Sequence, residues 1–325
     1  MIVNDLAKFF PVKYGLFSET NYVHAVEDVS FRIKRKRVLG LVGESGCGKT
    51  TTAKIILHLQ RPTKGNVIFE GVNIFELNSA QLKAYRRRAQ LIFQDPYSSL
   101  NPVHDVLRTL SYATRIHRET ESREETIDEV HSLLETVGLV PVDEYIHKYP
   151  HELSGGERQR LVIARTLAVD PIFIVADEPI SMLDMSMRAD ILKLLAKLQE
   201  ERSLTYLYIT HDLASARYFC DTTAIMYLGE IVEIGETEDV IQNPIHPYAE
   251  LLLSAVPVPD PRLVMKRFDS RGGVPHPTDL PQGCRFHPRC PLAQPICKQE
   301  KPQLREVENR YVMCYFPDHE PAFPN

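Results

Sequence analysis

Residues Gly43-Glu44-Ser45-Gly46-Cys47-Gly48-Lys49-Thr50 spell G-x-x-x-x-G-K-T. Such a loop closes backbone N–H groups around phosphate oxygens, and its glycines keep Cβ atoms out of the way. The helix that follows turns the positive end of its dipole toward the same anion. Lys49 is suited to reach the β- and γ-phosphates, and Thr50 to ligate Mg²⁺. The candidate nucleotide-binding residues are Gly43, Ser45, Gly46, Cys47, Gly48, Lys49, Thr50 and Thr51. About 130 residues later, Asp177-Glu178 end the apolar run at 172–176. In a doubly wound sheet the strand C-termini converge on the ligand edge. There Asp177 is a candidate to hold Mg²⁺, and Glu178 to accept a proton from attacking water. A third segment, Leu153-Ser154-Gly155-Gly156-Glu157-Arg158-Gln159-Arg160, combines a cap serine, two glycines and a helix start. It offers Ser154, Gly155 and Gly156 as a second anion-binding helix N-terminus.

These residues need elements to hold them. The apolar run at 38–42 predicts a buried strand before the loop, and 51–59 a helix after it. Residues 22–42 and 65–71 predict a β-rich N-terminal layer. Three- and four-residue apolar steps predict helices over 105–118, 124–137, 156–168 and 187–201. A further buried strand, 204–209, ends at Thr210-His211-Asp212. Strands at 223–228 and 231–234 flank Gly229-Glu230 and predict a hairpin. Prolines 257, 259, 261, 275, 277 and 281 then break the helical texture, which puts a boundary near 257.

The chain has 325 residues, 43% hydrophobic and 25% charged, as in ordinary globular protein. Its net charge of −5 gives no global field for nucleic acid. The triplet Arg86-Arg87-Arg88 predicts a solvated helix face or a loop rather than a nucleic-acid patch. No apolar run reaches membrane-spanning length, and the N-terminal residues lack the core of a secretion signal. Six cysteines are present: Cys47 in the loop, Cys220 in an amphipathic stretch, and Cys284, Cys290, Cys297 and Cys314 in the tail. Four thiolates suit either an iron–sulfur cluster or tetrahedral Zn²⁺. None of the tail pairs is a tight C-x₂-C, since five, six and sixteen residues separate them in turn, which favours the cluster.

The L-S-G-G-E-R-Q-R segment resembles the signature of ATP-binding-cassette (ABC) ATPases. The resemblance implies an α/β fold: an ABC-type P-loop ATPase core, an antiparallel β layer and a helical subdomain at about 95–165. It implies that Gln94 contacts the metal, which Thr50 and Asp177 are also candidates to hold, and the attacking water. It implies that Asp184 belongs to a loop crossing between subunits and that His211 contacts the γ-phosphate. Phe10 is the candidate to stack on adenine, with Tyr14 as alternate, though Phe10 also fits a packing role. Where that family commonly has Thr and Ala, this chain has Ile180 and Met182.

Three stretches resemble the ATPase subunits of dipeptide/oligopeptide importers. They are Gln94-Asp95-Pro96-Tyr97-Ser98-Ser99-Leu100-Asn101-Pro102, Asn243-Pro244-Ile245-His246-Pro247-Tyr248, and the cysteine tail from Gly283. This resemblance implies an ATPase motor domain at 1–256 and a small Cys-rich C-terminal extension at 257–325. The extension would hold a [4Fe–4S] cluster, or alternatively Zn²⁺, on Cys284, Cys290, Cys297 and Cys314. The implied partners are two transmembrane permease subunits, a second, homologous ATPase subunit and an external solute-binding protein, with no nucleic acid. The implied location is the cytoplasmic face of the membrane. Peptide is the expected cargo, with oligosaccharide or nickel as alternatives. A soluble ABC ATPase outside transport is the rival from another class, and a non-catalytic sensor built round the cluster a third.

Overall fold

The computed structural model describes residues 1–13, 21–116, 122–254 and 272–317. Two compact units are present: Met1–Glu76 with Tyr208–Asn325, and Leu77–Leu207. The first unit opens with strands β1 (Ile2–Val12), β2 (Asn21–Arg32) and β3 (Val38–Val42), then helix α1 (Lys49–Ile56) and strands β4 (Lys64–Phe69) and β5 (Val72–Asn73). Four of these strands form the expected antiparallel layer, in the order β2-β1-β4-β5. Its buried face carries Val3, Leu6, Val26, Val29 and Val67. Strand β3 is buried at all five positions, as befits a strand covered on both faces.

The second unit begins with α2 (Ser79–Arg88), β6 (Ala89–Ile92), α3 (Pro96–Ser99) and α4 (Val106–Arg115). It continues through α5 (Arg123–Thr136), α6 (Val142–Tyr145), α7 (Gly155–Leu167), β7 (Phe173–Asp177) and α8 (Met185–Glu201). Asn78, Asp95, Asp105, Ser122, Ser154 and Asp184 each cap a helix through a side-chain oxygen. These caps satisfy N–H groups that a helix start leaves without partners. Helices α4, α5 and α7 pack on one another, with Leu110, Val130, Leu134 and Leu161 fully buried. Each such side chain contributes about 1.5–3 kcal/mol. Strands β6 and β7 run parallel, from Ala89 opposite Phe173 to Ile92 opposite Ala176. The Arg86–Arg88 triplet is the last turn of α2. Arg86 is exposed, whereas Arg87 donates to the Val169 carbonyl at 3.2 Å.

The division falls inside β8 (Thr205–Thr210), between Leu207 and Tyr208. The first unit resumes with α9 (Leu213–Phe219), β9 (Thr222–Tyr227), β10 (Glu230–Glu236), α10 (Thr237–Gln242) and α11 (Pro247–Ser254). Strand β9 lies parallel to β3 and antiparallel to β10. The hairpin turn is Leu228-Gly229, both at positive φ (42° and 90°), where the sequence suggested Gly229-Glu230. Glu230 instead pairs with Tyr227 and starts β10. A two-residue turn with both φ positive matches the strand twist, so it takes Leu228 despite its side chain.

The tail adds α12 (Pro295–Gln299), β11 (Arg305–Val307) and β12 (Arg310–Val312). The proposed boundary at 257 lies outside the described residues. The described part of the extension packs within the first unit. Phe286 is buried against Tyr227 and Tyr248, at ring-centroid distances of 5.3 and 5.5 Å. Arg310, buried, donates to Glu233 at 3.2 Å and to the Asp239 and Asn243 carbonyls at 2.7 Å. Arg285 pairs with Glu27 and, at 3.2 Å, with Glu230. Lys301 reaches Glu230 and Asp28, each at 2.8 Å. Among the described residues, no helix is long and apolar enough to cross a membrane.

Candidate nucleotide site and cysteine cavity

The phosphate loop spans the end of β3 and the start of α1 in the first unit. Gly46 and Gly48 hold φ of 80° and 110°, which side chains rarely adopt. A Cβ on Gly48 would stand 2.2 Å from the Ala25 carbonyl oxygen, and one on Gly43 2.2 Å from that of Met226. The loop is thus laid directly on the backbones of β2 and β9. Lys49 is buried, and its Nζ donates to the Gly43 and Glu44 carbonyls at 2.6 and 2.9 Å. Cys47 is buried beside it, and burial raises its thiol above the ordinary range. It behaves as a packing residue rather than a nucleophile. Ser45, Gly46 and Thr50 are exposed, while Thr51 is half-buried on α1. The Glu44 N–H donates to the Tyr248 hydroxyl at 3.0 Å, and Arg289 grips the Glu44 carboxylate with two hydrogen bonds of 2.8 and 3.0 Å. The sequence pattern did not reveal these two partners, though Tyr248 and Arg289 fall inside segments singled out for their resemblance.

His211 follows β8 in the first unit and is exposed. Phe10 lies on β1 opposite Val23, half-buried, with the Lys8 ammonium 5.2 Å from its ring centre. Tyr14 lies outside the described residues.

Gln94, Asp177, Glu178, Ser154, Gly155, Gly156 and Asp184 belong to the second unit. Asp177 closes β7 and is buried. Glu178, next along, takes φ 46°, an uncommon backbone for a residue with a side chain. Its carbonyl accepts from the Ser181 N–H and hydroxyl at 3.2 and 3.0 Å, which pins the turn. Gln94, just past β6, donates its side-chain amide to Glu178 Oε2 at 3.0 Å. The parallel pairing of β6 and β7 brings the two together.

Ser154 and Glu157 form a reciprocal cap at the start of α7. The Ser154 hydroxyl accepts from the Glu157 N–H at 3.3 Å, and Glu157 accepts from the Ser154 N–H at 2.7 Å. Burial raises the Glu157 carboxyl, but the Ser154 bonds and the Tyr145 hydroxyl outweigh it and hold the group below its usual range. The serine hydroxyl keeps its proton as a donor. Gly156 is close enough to Met187 that an added Cβ would meet its sulfur at 3.1 Å, and Gly155 rests on Leu183. Asp184 is exposed and caps α8 through the Met187 N–H at 2.9 Å. Ile180 is buried, so this departure from the family pattern serves the core, whereas Met182 projects into solvent.

Among the described residues, no group of three or more His, Cys, Asp or Glu side chains is arranged to hold a metal ion. Cys284, Cys290, Cys297 and Cys314 instead line one cavity, with about 390 Å³ of free space including its open mouth. His246, His287 and Phe286 share its wall. Burial, and then the neighbouring tail cysteines, push the Cys284 thiol up to about 12 and that of Cys290 to about 11. Cys314 is raised for the same reasons.

The chain is similar to known proteins over most of its length. The ABC transporter family profile matches residues 26–181, and the oligopeptide/dipeptide transporter C-terminal region matches 232–297. The oligopeptide transport ATP-binding protein AppF of Bacillus subtilis is 42% identical over 318 residues, covering 96% of each chain. The dipeptide transport ATP-binding protein DppF of Haemophilus influenzae is 41% identical, over 96% of this chain and 95% of that one. A dimeric post-hydrolysis cassette, MJ0796, bound to ADP and Pi, aligns with a TM-score of 0.64 and 28% identity, over 73% of this chain and 98% of its own.

Proposed function

We infer, from a chain that belongs to the ABC transporter ATP-binding proteins of the oligopeptide/dipeptide type, an ATPase motor subunit of a peptide importer. The single observation that carries the catalytic reading is the Gln94–Glu178 contact beside Asp177, in a chain that also has the Lys49 loop. In this reading Lys49 and the loop N–H groups hold the β- and γ-phosphates, and Thr50, Gln94 and Asp177 hold Mg²⁺. Glu178 orients the attacking water and takes its proton, and His211 contacts the γ-phosphate. Ser154, Gly155 and Gly156 of one subunit close on nucleotide bound by a second ATPase subunit, and Asp184 lies along that seam. Phe10 stacks on adenine. Closure and reopening then drive two separate permease subunits at the cytoplasmic face, fed by an external solute-binding protein.

The cysteine cavity supports a [4Fe–4S] cluster on Cys284, Cys290, Cys297 and Cys314. Four thiols ring a shared space, which suits a four-iron cluster better than a single Zn²⁺ that needs its ligands gathered at one point. When bound, the group supplies a cross-link among four tail positions. The domain division at 257 and the helical subdomain at 95–165 remain part of this reading.

The test is reconstitution of the chain with its permease and ATPase partners in vesicles. Peptide uptake is expected to require ATP and to vanish with Glu178→Gln while ATP stays bound. Uptake that persists in that variant would sink the assignment of Glu178.

A further inference from the structure

The two walls of the cysteine cavity both end on the phosphate loop. One wall runs from His246 and Pro247, which line the cavity, to Tyr248, whose hydroxyl accepts the Glu44 N–H. The backbone N–H of Tyr248 in turn donates to His246 Nδ1 at 3.0 Å, so that segment is braced internally. The other wall is the turn from Cys284 to Cys290. The Arg289 and Cys290 N–H groups both donate to the Phe286 carbonyl at 3.0 Å, which fixes Arg289 relative to a cavity-lining cysteine. Arg289 is buried, its guanidinium 5.8 Å from the Phe286 ring centre and 5.7 Å from that of Tyr227. From there it makes its bidentate grip on Glu44. Glu44 is no bystander in the loop. Its carbonyl accepts both Lys49 Nζ and the Cys47 N–H, at 2.9 and 3.3 Å. Backbone and side chain of Glu44 are thus each held by one wall of the cavity, while its carbonyl holds the lysine.

We propose that Arg289 is a positioning residue for the phosphate loop, and that Arg289 and Tyr248 couple the contents of the cysteine cavity to nucleotide affinity. The coupling half rests on the cluster reading above; the positioning half does not. A charge-assisted bidentate pair on a buried guanidinium restrains Glu44 in both distance and plane. Filling the cavity orders the turn that carries Arg289, and so favours the loop geometry that binds phosphate. Coupling of this kind is reciprocal: nucleotide must then hold the cavity closed.

The experiment uses the full chain. Arg289→Met and Glu44→Gln are each expected to raise the Kd for MgATP about tenfold, and Arg289→Lys, which keeps charge but not the fork, about threefold. The double variant is expected to stay near tenfold, because both changes break one interaction. KM for ATP is expected to rise with Kd while kcat changes less than about twofold. Glu44→Gln leaves the sequence of the tail unchanged, so it reads the loop even if Arg289→Met folds poorly. Unchanged Kd in Glu44→Gln, or a double variant near a hundredfold, overturns the positioning role. For the coupling, alkylation of Cys284 and Cys290 after addition of an iron-selective chelator that leaves Mg²⁺ free is followed by mass spectrometry. MgATP is expected to slow it about fivefold in the parent chain and not in Arg289→Met. Equal rates with and without MgATP in the parent overturn the coupling. Iron content of the same sample reports separately on the cluster.

Discussion

The Gln94 side-chain amide donates to Glu178 Oε2 at 3.0 Å, and Glu178 itself sits at φ 46°. An uncommon backbone at a candidate catalytic carboxylate is held from two sides, by Gln94 at the side chain and Ser181 at the carbonyl. Such strain persists only where the surroundings over-determine it. Glu178→Gln is expected to cut ATP hydrolysis by about 10²-fold or more with nucleotide binding retained. Gln94→Ala is expected to cost about tenfold in phosphate release, through a carboxylate that is present but loosely aimed. Wild-type rates in Gln94→Ala would show that the contact does not matter.

The glycines of the phosphate loop separate into two kinds. Gly48→Ala drives a Cβ into the Ala25 carbonyl and forces φ 110° on a side chain. It is expected to cost at least about 3 kcal/mol, to lower the melting temperature and to abolish the shift that ATP produces. Gly46→Ala meets nothing within 4 Å and carries only the positive-φ penalty, about 1–2 kcal/mol. The reverse order in thermal melts would contradict the packing of the loop on β2.

The Ser154–Glu157 cap gives a pH signature. The folded value for Glu157 lies below 4.5, so its stabilisation is complete above the unfolded value and is lost as pH falls through the folded one. The difference in urea midpoint between parent and Glu157→Gln is expected to be largest near neutral pH and to shrink below 4.5. Ser154→Ala is expected to cost about 1 kcal/mol. A difference that grows on acidification would show that the cap is not the source.

Arg285 faces two carboxylates, and burial raises the Glu230 carboxyl in spite of Arg285 and Lys301. Removing the cation leaves a buried acid short of partners. Arg285→Met is expected to destabilise by about 3–5 kcal/mol, and a second change, Glu230→Gln, to recover part of that. Equal melting temperatures for all three proteins would mean that the network is idle.

Cys290→Ser is expected to remove the broad absorption at about 400 nm that a [4Fe–4S] cluster gives. Stoichiometric zinc with no iron in the purified protein would overturn the cluster.

Much of this was legible in the sequence because its signals are local. Glycines at fixed spacing, cap residues such as Ser154 and apolar runs such as 172–176 each specify short-range geometry. The hairpin turn was misplaced by one residue because Leu228 accepts a positive φ that residue type alone disfavours. Arg289 and Tyr248 were not legible as loop partners. Each meets Glu44 across more than 200 positions of chain, and no periodicity encodes such a meeting. Arg158 was missed likewise. Inside the signature, it lies buried with its guanidinium 3.9 Å from the centre of the Tyr97 ring, a contact that only the packing of α3 on α7 creates.

Strand β12 borders β10, with Val312 opposite Glu233 and Tyr311 opposite Ile234. A cassette cut short before residue 272 would bare a row of unsatisfied backbone groups on β10, a template for runaway self-association. Shortened versions made for crystallisation are therefore poor candidates for a well-behaved monomer, whatever becomes of the thiols.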